Sequence, residues 1–130
     1  MDSPPTVLIV EDFKDLRKFV AHYLAARGYQ VLEAANGKTA IQTAIRGKPN
    51  LILLDIRLPD ISALDVVTEL RKLSGTKHVP IVGWTVESES NPQRKMLLHV
   101  GISDDIRKPT SLKELDAVIE RFLPKSQQQH

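Results

Sequence analysis

Two short runs, TVLIVE at 6–11 and NLILLD at 50–55, are apolar at consecutive positions rather than at alternate ones. A strand with one wet face alternates with a period of two. A strand apolar at every position has to be covered on both faces, and a parallel sheet flanked by helices provides that cover. The segment after the first run, FKDLRKFVAHYLAARG, places Phe13, Leu16, Val20, Tyr23 and Leu24 at helical spacing, with Gly28 as its stop. YQVLEAA (29–35) reads as a second, shorter strand, and GKTAIQTAIRG (37–47) as a helix faced by Ala40, Ile41, Ala44 and Ile45 and ending at Gly47. After the third strand, SALDVVTELRKL (62–73) carries Leu64, Val67 and Leu70 on one face. VPIVGWT (79–85) is a fourth strand, and NPQRKMLLHVG (91–101) is a helix with Pro92 in its first turn, where a missing N–H costs little. DDIRK (104–108) is a short fifth strand. SLKELDAVIERFL (111–123) opens on a capping box from Ser111 to Glu114 and shows a stripe of Leu115, Val118, Ile119 and Phe122. Strand and helix therefore alternate five times, which predicts an α/β fold with an open parallel sheet and helices on both faces.

A chain of 130 residues holds one domain with one core. The expected division is a domain over 1–123 and a polar tail, PKSQQQH, over 124–130. Hydrophobic residues make up 42% and charged residues 26%, as in an ordinary globular domain, and no apolar run approaches the ~20 residues of a membrane span. The start, MDSPPTVLIV, has no basic region of the kind that opens a signal peptide. With no cysteine there is no disulfide framework and no thiolate metal site, so a cytoplasmic setting is expected. The net charge of +2 comes from lysines and arginines spread along the chain, without the clustered basic run that nucleic-acid or membrane binding requires. His22, His78, His99 and His130 are scattered, without ligand spacing.

In a sheet of this kind ligands bind outside the carboxyl ends of the strands. Glu11 and Asp12 end the first strand, Asp55 the third, Thr85 the fourth and Lys108 the fifth. If the first and third strands are neighbours, the three carboxylates meet at one rim. Two unit charges 4 Å apart repel by about 4 kcal/mol at an effective dielectric near 20, so the group calls for a cation. Carboxylate oxygens without histidine or cysteine favour Mg²⁺ or Mn²⁺ over zinc.

Over about residues 5–123 the sequence resembles the receiver domains of two-component response regulators, the fold of the chemotaxis regulator. The resemblance rests on VLIVED, LILLDIRLPD, WT and KP, in that order and at strand ends. It implies a doubly wound, flavodoxin-like sheet of strand order 2-1-3-4-5. It implies that Asp55 accepts a phosphoryl group from a phosphohistidine on a histidine kinase or phosphotransfer protein. Asp12, Asp55 and the backbone carbonyl of Arg57 would then hold Mg²⁺, with Glu11 holding a metal-bound water. Thr85 and Lys108 would contact phosphoryl oxygens, and the Lys108–Pro109 bond would be cis. Such a protein is not a free-standing enzyme and only assists its own phosphorylation and dephosphorylation. Its output would run to a downstream protein through the face made by helix four, strand five and helix five, where Arg94, Lys95, Arg107 and Lys113 favour an acidic partner surface.

The chain departs from the family pattern in two places. Ala63 stands where glycine is common, so a positive φ there would be uncomfortable and a different turn is expected. Asp105 stands where many receivers carry the aromatic residue that swings inward with Thr85. A carboxylate in that apolar slot is costly unless paired, so a switch other than an aromatic rotamer is expected. An ion pair of Arg57 with Glu87 across the pocket mouth would slow hydrolysis of the phosphorylated state. Two rival readings have their own signatures. A pseudo-receiver would bind partners without accepting phosphate. A haloacid-dehalogenase-like phosphatase also uses Asp, Thr and Lys with Mg²⁺, but needs an acid two residues after its nucleophile, where this chain has Arg57.

Overall fold

The structure, a computed structural model, describes residues 4–85, 92–108 and 110–123. Glu87, Pro109 and the 124–130 tail lie outside the described residues, and with them the Arg57–Glu87 pair and the cis peptide bond. The elements are β1 (Thr6–Val10), α1 (Lys14–Ala26), β2 (Gln30–Ala34), α2 (Gly37–Gly47), β3 (Leu51–Asp55), α3 (Ala63–Lys72), β4 (Ile81–Thr85), α4 (Pro92–Val100), β5 (Asp104–Arg107) and α5 (Leu112–Phe122). All strand pairs are parallel, in the order β2-β1-β3-β4-β5.

The continuous apolar runs explain the two-sided packing. Alternate residues of β1 and β3 feed opposite cores: Leu8, Val10, Ile52 and Leu54 pack under α2, α3 and α4, while Val7, Ile9, Leu51 and Leu53 pack under α1 and α5. All eight are fully buried. Burying each such side chain stabilises the fold by about 1.5–3 kcal/mol, so these two strands hold the sheet's central register firmly. β1 crosses to β2 on one side and is flanked by β3 on the other, so the strand order reverses at the β1–β3 boundary.

Several local readings need correction. Phe13 is not part of the buried face of α1; it occupies the N-cap position and is 61% exposed. Ile45 is likewise 51% exposed, because α2 buries only its small residues Ala40 and Ala44 against the sheet. Gly28 does adopt the left-handed backbone expected after α1, with φ 99°. At the end of α2 the left-handed residue is instead Lys48, with φ 48°. Gly47 instead leaves room for the Leu32 side chain, whose Cδ1 would lie 2.3 Å from a Cβ there and would have to shift. Ala63 brings no strain either. It is the first residue of α3, fully buried, behind the N-cap Ser62, whose hydroxyl accepts from the Asp65 N–H at 3.0 Å.

Candidate functional site

Parallel strands put the ends of β1, β3, β4 and β5 on one edge, and the side chains there converge. One carboxylate oxygen from each of Glu11, Asp12 and Asp55 lies within 4.8 Å of the others. Glu11 and Asp55 are buried, and Asp12 is exposed at the mouth. Asp55 is held at the floor because Leu51 to Leu54 anchor its strand in both cores. Its Oδ1 accepts the Arg57 N–H at 3.0 Å, which orients the carboxylate and curls the following backbone toward the pocket. Glu11 is oriented by the start of α1, its Oε2 accepting the Phe13 N–H at 3.0 Å. Arg17 pins the same corner by donating to the Glu11 carbonyl at 2.9 Å while its Nε pairs with Glu33 at 3.0 Å.

Lys108 enters from the end of β5. Its ammonium hydrogen-bonds Glu11 and lies 3.4 Å from Asp55 Oδ2. Its backbone N–H donates to the Thr85 carbonyl at 2.8 Å, so the lysine and the buried threonine are brought side by side. Glu11, Asp12, Asp55 and Lys108 are therefore brought together, and Thr85 adjoins Lys108 through its backbone.

The charges explain the behaviour of the two buried acids. Burial pushes the Glu11 carboxyl upward, but the Lys108 ammonium and the Phe13 N–H outweigh it and hold the group below its ordinary value. Burial dominates at Asp55. The Arg57 N–H and Lys108 oppose it and the Glu11 charge reinforces it, so its carboxyl rises to about 6. Three carboxylates facing one ammonium leave the pocket electronegative, and their hard oxygens suit a small divalent cation. The residues present fit Mg²⁺ in donor type and charge.

Sequence reading alone missed three supports. Asp60, in the β3–α3 loop, accepts the N–H groups of Gly37 and Lys38 at 2.8 and 2.9 Å, clasping that loop to the start of α2. The Lys38 N–H, with the Gly37 N–H, outweighs the opposing effect of burial and lowers its carboxyl to about 2. No local signal marked it, because the start of α2 lies more than twenty residues earlier in the chain. Trp84 lays its ring beside Lys108, with the ammonium 4.7 Å from the ring centroid. Asp105 is paired as its burial demands: Arg94 of α4 grips both its oxygens, Nη2 to Oδ1 at 3.1 Å and Nε to Oδ2. Asp105 also sits against Gly83, where an added Cβ would lie 3.4 Å from the Asp105 Cβ.

Residues 7–120 match the response regulator receiver domain family. The phosphate regulon transcriptional regulatory protein PhoB of Pseudomonas aeruginosa is 36% identical over 118 residues, 91% of this chain and 51% of PhoB. The chain thus spans about half the length of that relative. The polar-differentiation response regulator DivK of Brucella anthropi is 30% identical over 92% of this chain and 97% of its own length. Among solved structures, the receiver domain of a sensor histidine kinase from Pseudomonas aeruginosa, described with a magnesium ion coordinated in its active-site cleft, superposes with a TM-score of 0.84. It is 28% identical and covers 92% of this chain and 98% of its own. An acidic pocket at the reversal of a 2-1-3-4-5 sheet and these matches agree: the chain belongs to the response regulator receiver domain family.

Proposed function

We propose that this receiver domain accepts a phosphoryl group on Asp55 from a histidine kinase or phosphotransfer protein in the cytoplasm, and passes the signal on by a conformational shift. The observation that carries this reading is the position of Asp55: a buried carboxylate at the pocket floor, its Oδ2 facing Lys108 and its Oδ1 fixed by a backbone N–H. With its carboxyl near 6, the ionised, nucleophilic form dominates at neutral pH.

In the reaction, an Asp55 oxygen forms a bond to phosphorus as the P–N bond of the phosphohistidine breaks. The imidazole keeps the electron pair and takes up a proton. Water later cleaves the acyl phosphate, returning the carboxylate and inorganic phosphate. Glu11, Asp12, Asp55 and the Arg57 carbonyl are the groups to hold Mg²⁺, which when bound supplies positive charge against the phosphoryl oxygens. Lys108 leaves Glu11 to pair with a phosphoryl oxygen, and the Thr85 hydroxyl donates to another. The chain is no separate enzyme in this scheme; it assists a single turnover on its own side chain.

Asp105 bears on how the shift is transmitted. Its guanidinium partner is carried by α4, so the seam between α4 and β5 is an ion pair rather than an aromatic slot. A downstream protein reading the α4–β5–α5 face would sense changes at that seam.

The reading is tested by incubating the chain with acetyl phosphate and Mg²⁺ and measuring intact mass. A single-phosphate adduct that is lost on chelation of the metal and in Asp55→Asn is expected. No adduct under saturating donor and Mg²⁺ would assign the chain to phosphate-independent binding instead.

A further inference from the structure

Trp84 stands next to Thr85 at the end of β4. It is 2% exposed and packed in the core under α1 and α5, paired in register with Asp55 on one side and Ile106 on the other. The same ring touches the β5–α5 turn twice. Its face lies 4.7 Å from the Lys108 ammonium. Its edge donates from Nε1 to the Thr110 hydroxyl at 3.1 Å, and that hydroxyl donates in turn to the Arg107 carbonyl. A buried indole therefore contacts Lys108 on its face and Thr110 on its edge.

The structure gives the ammonium three partners: Glu11, Asp55 and the Trp84 ring. The first two are also groups assigned to the metal, so Lys108 loses its hold on them when the acidic site fills. A lysine on a four-carbon stem would then be free to swing into solvent. The ring face, uncharged and fixed by the core, attracts a cation without competing for the metal. We propose that Trp84 is a positioning residue for Lys108: it keeps the ammonium at the pocket mouth, poised for the phosphoryl group, once Glu11 and Asp55 turn to the cation. This inference rests on the reading of Lys108 as a phosphoryl contact.

The test uses the full chain with Trp84→Phe, Trp84→Leu and Thr110→Val. The first readout is the NMR shift of the Lys108 ε-methylene protons, which lie over an aromatic face only if the contact exists. Upfield shifts are expected in wild type, both metal-free and at saturating Mg²⁺, and are lost in Trp84→Leu. The second readout is the phosphorylation rate with acetyl phosphate beside Mg²⁺ affinity from calorimetry. Trp84→Leu is expected to slow phosphorylation about tenfold while Mg²⁺ affinity stays within about twofold, and Trp84→Phe to restore most of the rate. A purely structural tryptophan would leave Phe and Leu equally impaired, and that result overturns the proposal. Unshifted Lys108 resonances in Mg²⁺-loaded wild type overturn it as well. If Trp84→Leu does not fold, Thr110→Val decides: it removes the edge contact from a half-buried site, and an unaltered Lys108 shift and rate count against the proposal. If wild type takes no phosphate at all, the phosphoacceptor reading fails, and the resonance shifts still decide whether Trp84 holds Lys108.

Discussion

Asp55 ends β3 and Asp105 is the second residue of β5; they are the same side chain in one sheet, and their surroundings set them to opposite tasks. Asp55 shares its pocket with two more carboxylates and a single ammonium. Burial, reinforced by the Glu11 charge, raises its carboxyl to about 6. Asp105 meets a guanidinium that grips both its oxygens, and its backbone N–H is taken by the Asp104 side chain at 2.8 Å. Asp104 in turn pairs with Arg121 of α5 at 2.6 Å. One aspartate is left wanting a cation; the other is closed off as part of the scaffold. Reactivity in this sheet is therefore a matter of burial and of which charges remain unmatched, not of residue type.

Asp55→Asn gives the sharpest contrast. It is expected to abolish the phosphate adduct in intact mass while raising metal-free stability by about 1–2 kcal/mol in urea unfolding, since a carboxylate with a raised pKa burdens the folded state at neutral pH. Asp105→Asn is expected to leave the adduct in place.

Arg94→Met should produce the opposite pattern. It strands a mostly buried carboxylate and is expected to cost about 2–4 kcal/mol in the same unfolding assay. Arg94→Met combined with Asp105→Leu should recover most of that loss, because the apolar pair removes the stranded charge. Full additivity of the two changes would show that the pair is not coupled.

The proton linkage of Asp55 yields a third contrast. Its folded-state value is above the unfolded one, so the metal-free fold binds the proton more tightly between about pH 4 and 6, and stability falls as pH rises through that window. Mg²⁺ takes the ionised form, so its affinity by calorimetry should weaken as pH drops below about 6, by up to about tenfold per unit. A flat affinity from pH 7 to 5 would contradict the under-compensated pocket.

The smallest effect is expected at Asp60. Its lowered carboxyl contributes stability that is present above about pH 4 and lost as pH falls toward about 2. Asp60→Asn should flatten that part of the acid-unfolding curve and leave the neutral-pH adduct intact.

The sheet and the acidic pocket were legible because both rest on local patterns. Consecutive apolar residues before Glu11 and Asp55 fix two buried strands, and the strand order that the family resemblance implies makes them neighbours and brings their ends together. What could not be read depends on which side chain meets which across elements. Asp105 announced a need for a partner, but Arg94 as that partner follows only from how α4 lies on β5. The contact of Trp84 with Lys108 needs the alternation of β4 against β5, and the Asp60 clasp needs α2 and α3 side by side. Ala63 needs no positive φ, in keeping with the different turn expected there: Ser62 caps α3 and Ala63 is its first residue.

The most direct test is fluorine NMR of the chain with beryllofluoride and Mg²⁺. A bound resonance is expected in wild type that requires Mg²⁺, disappears in Asp55→Asn and persists in Asp105→Asn. A bound resonance that survives Asp55→Asn, or none at all in folded wild type, would contradict the phosphoacceptor reading.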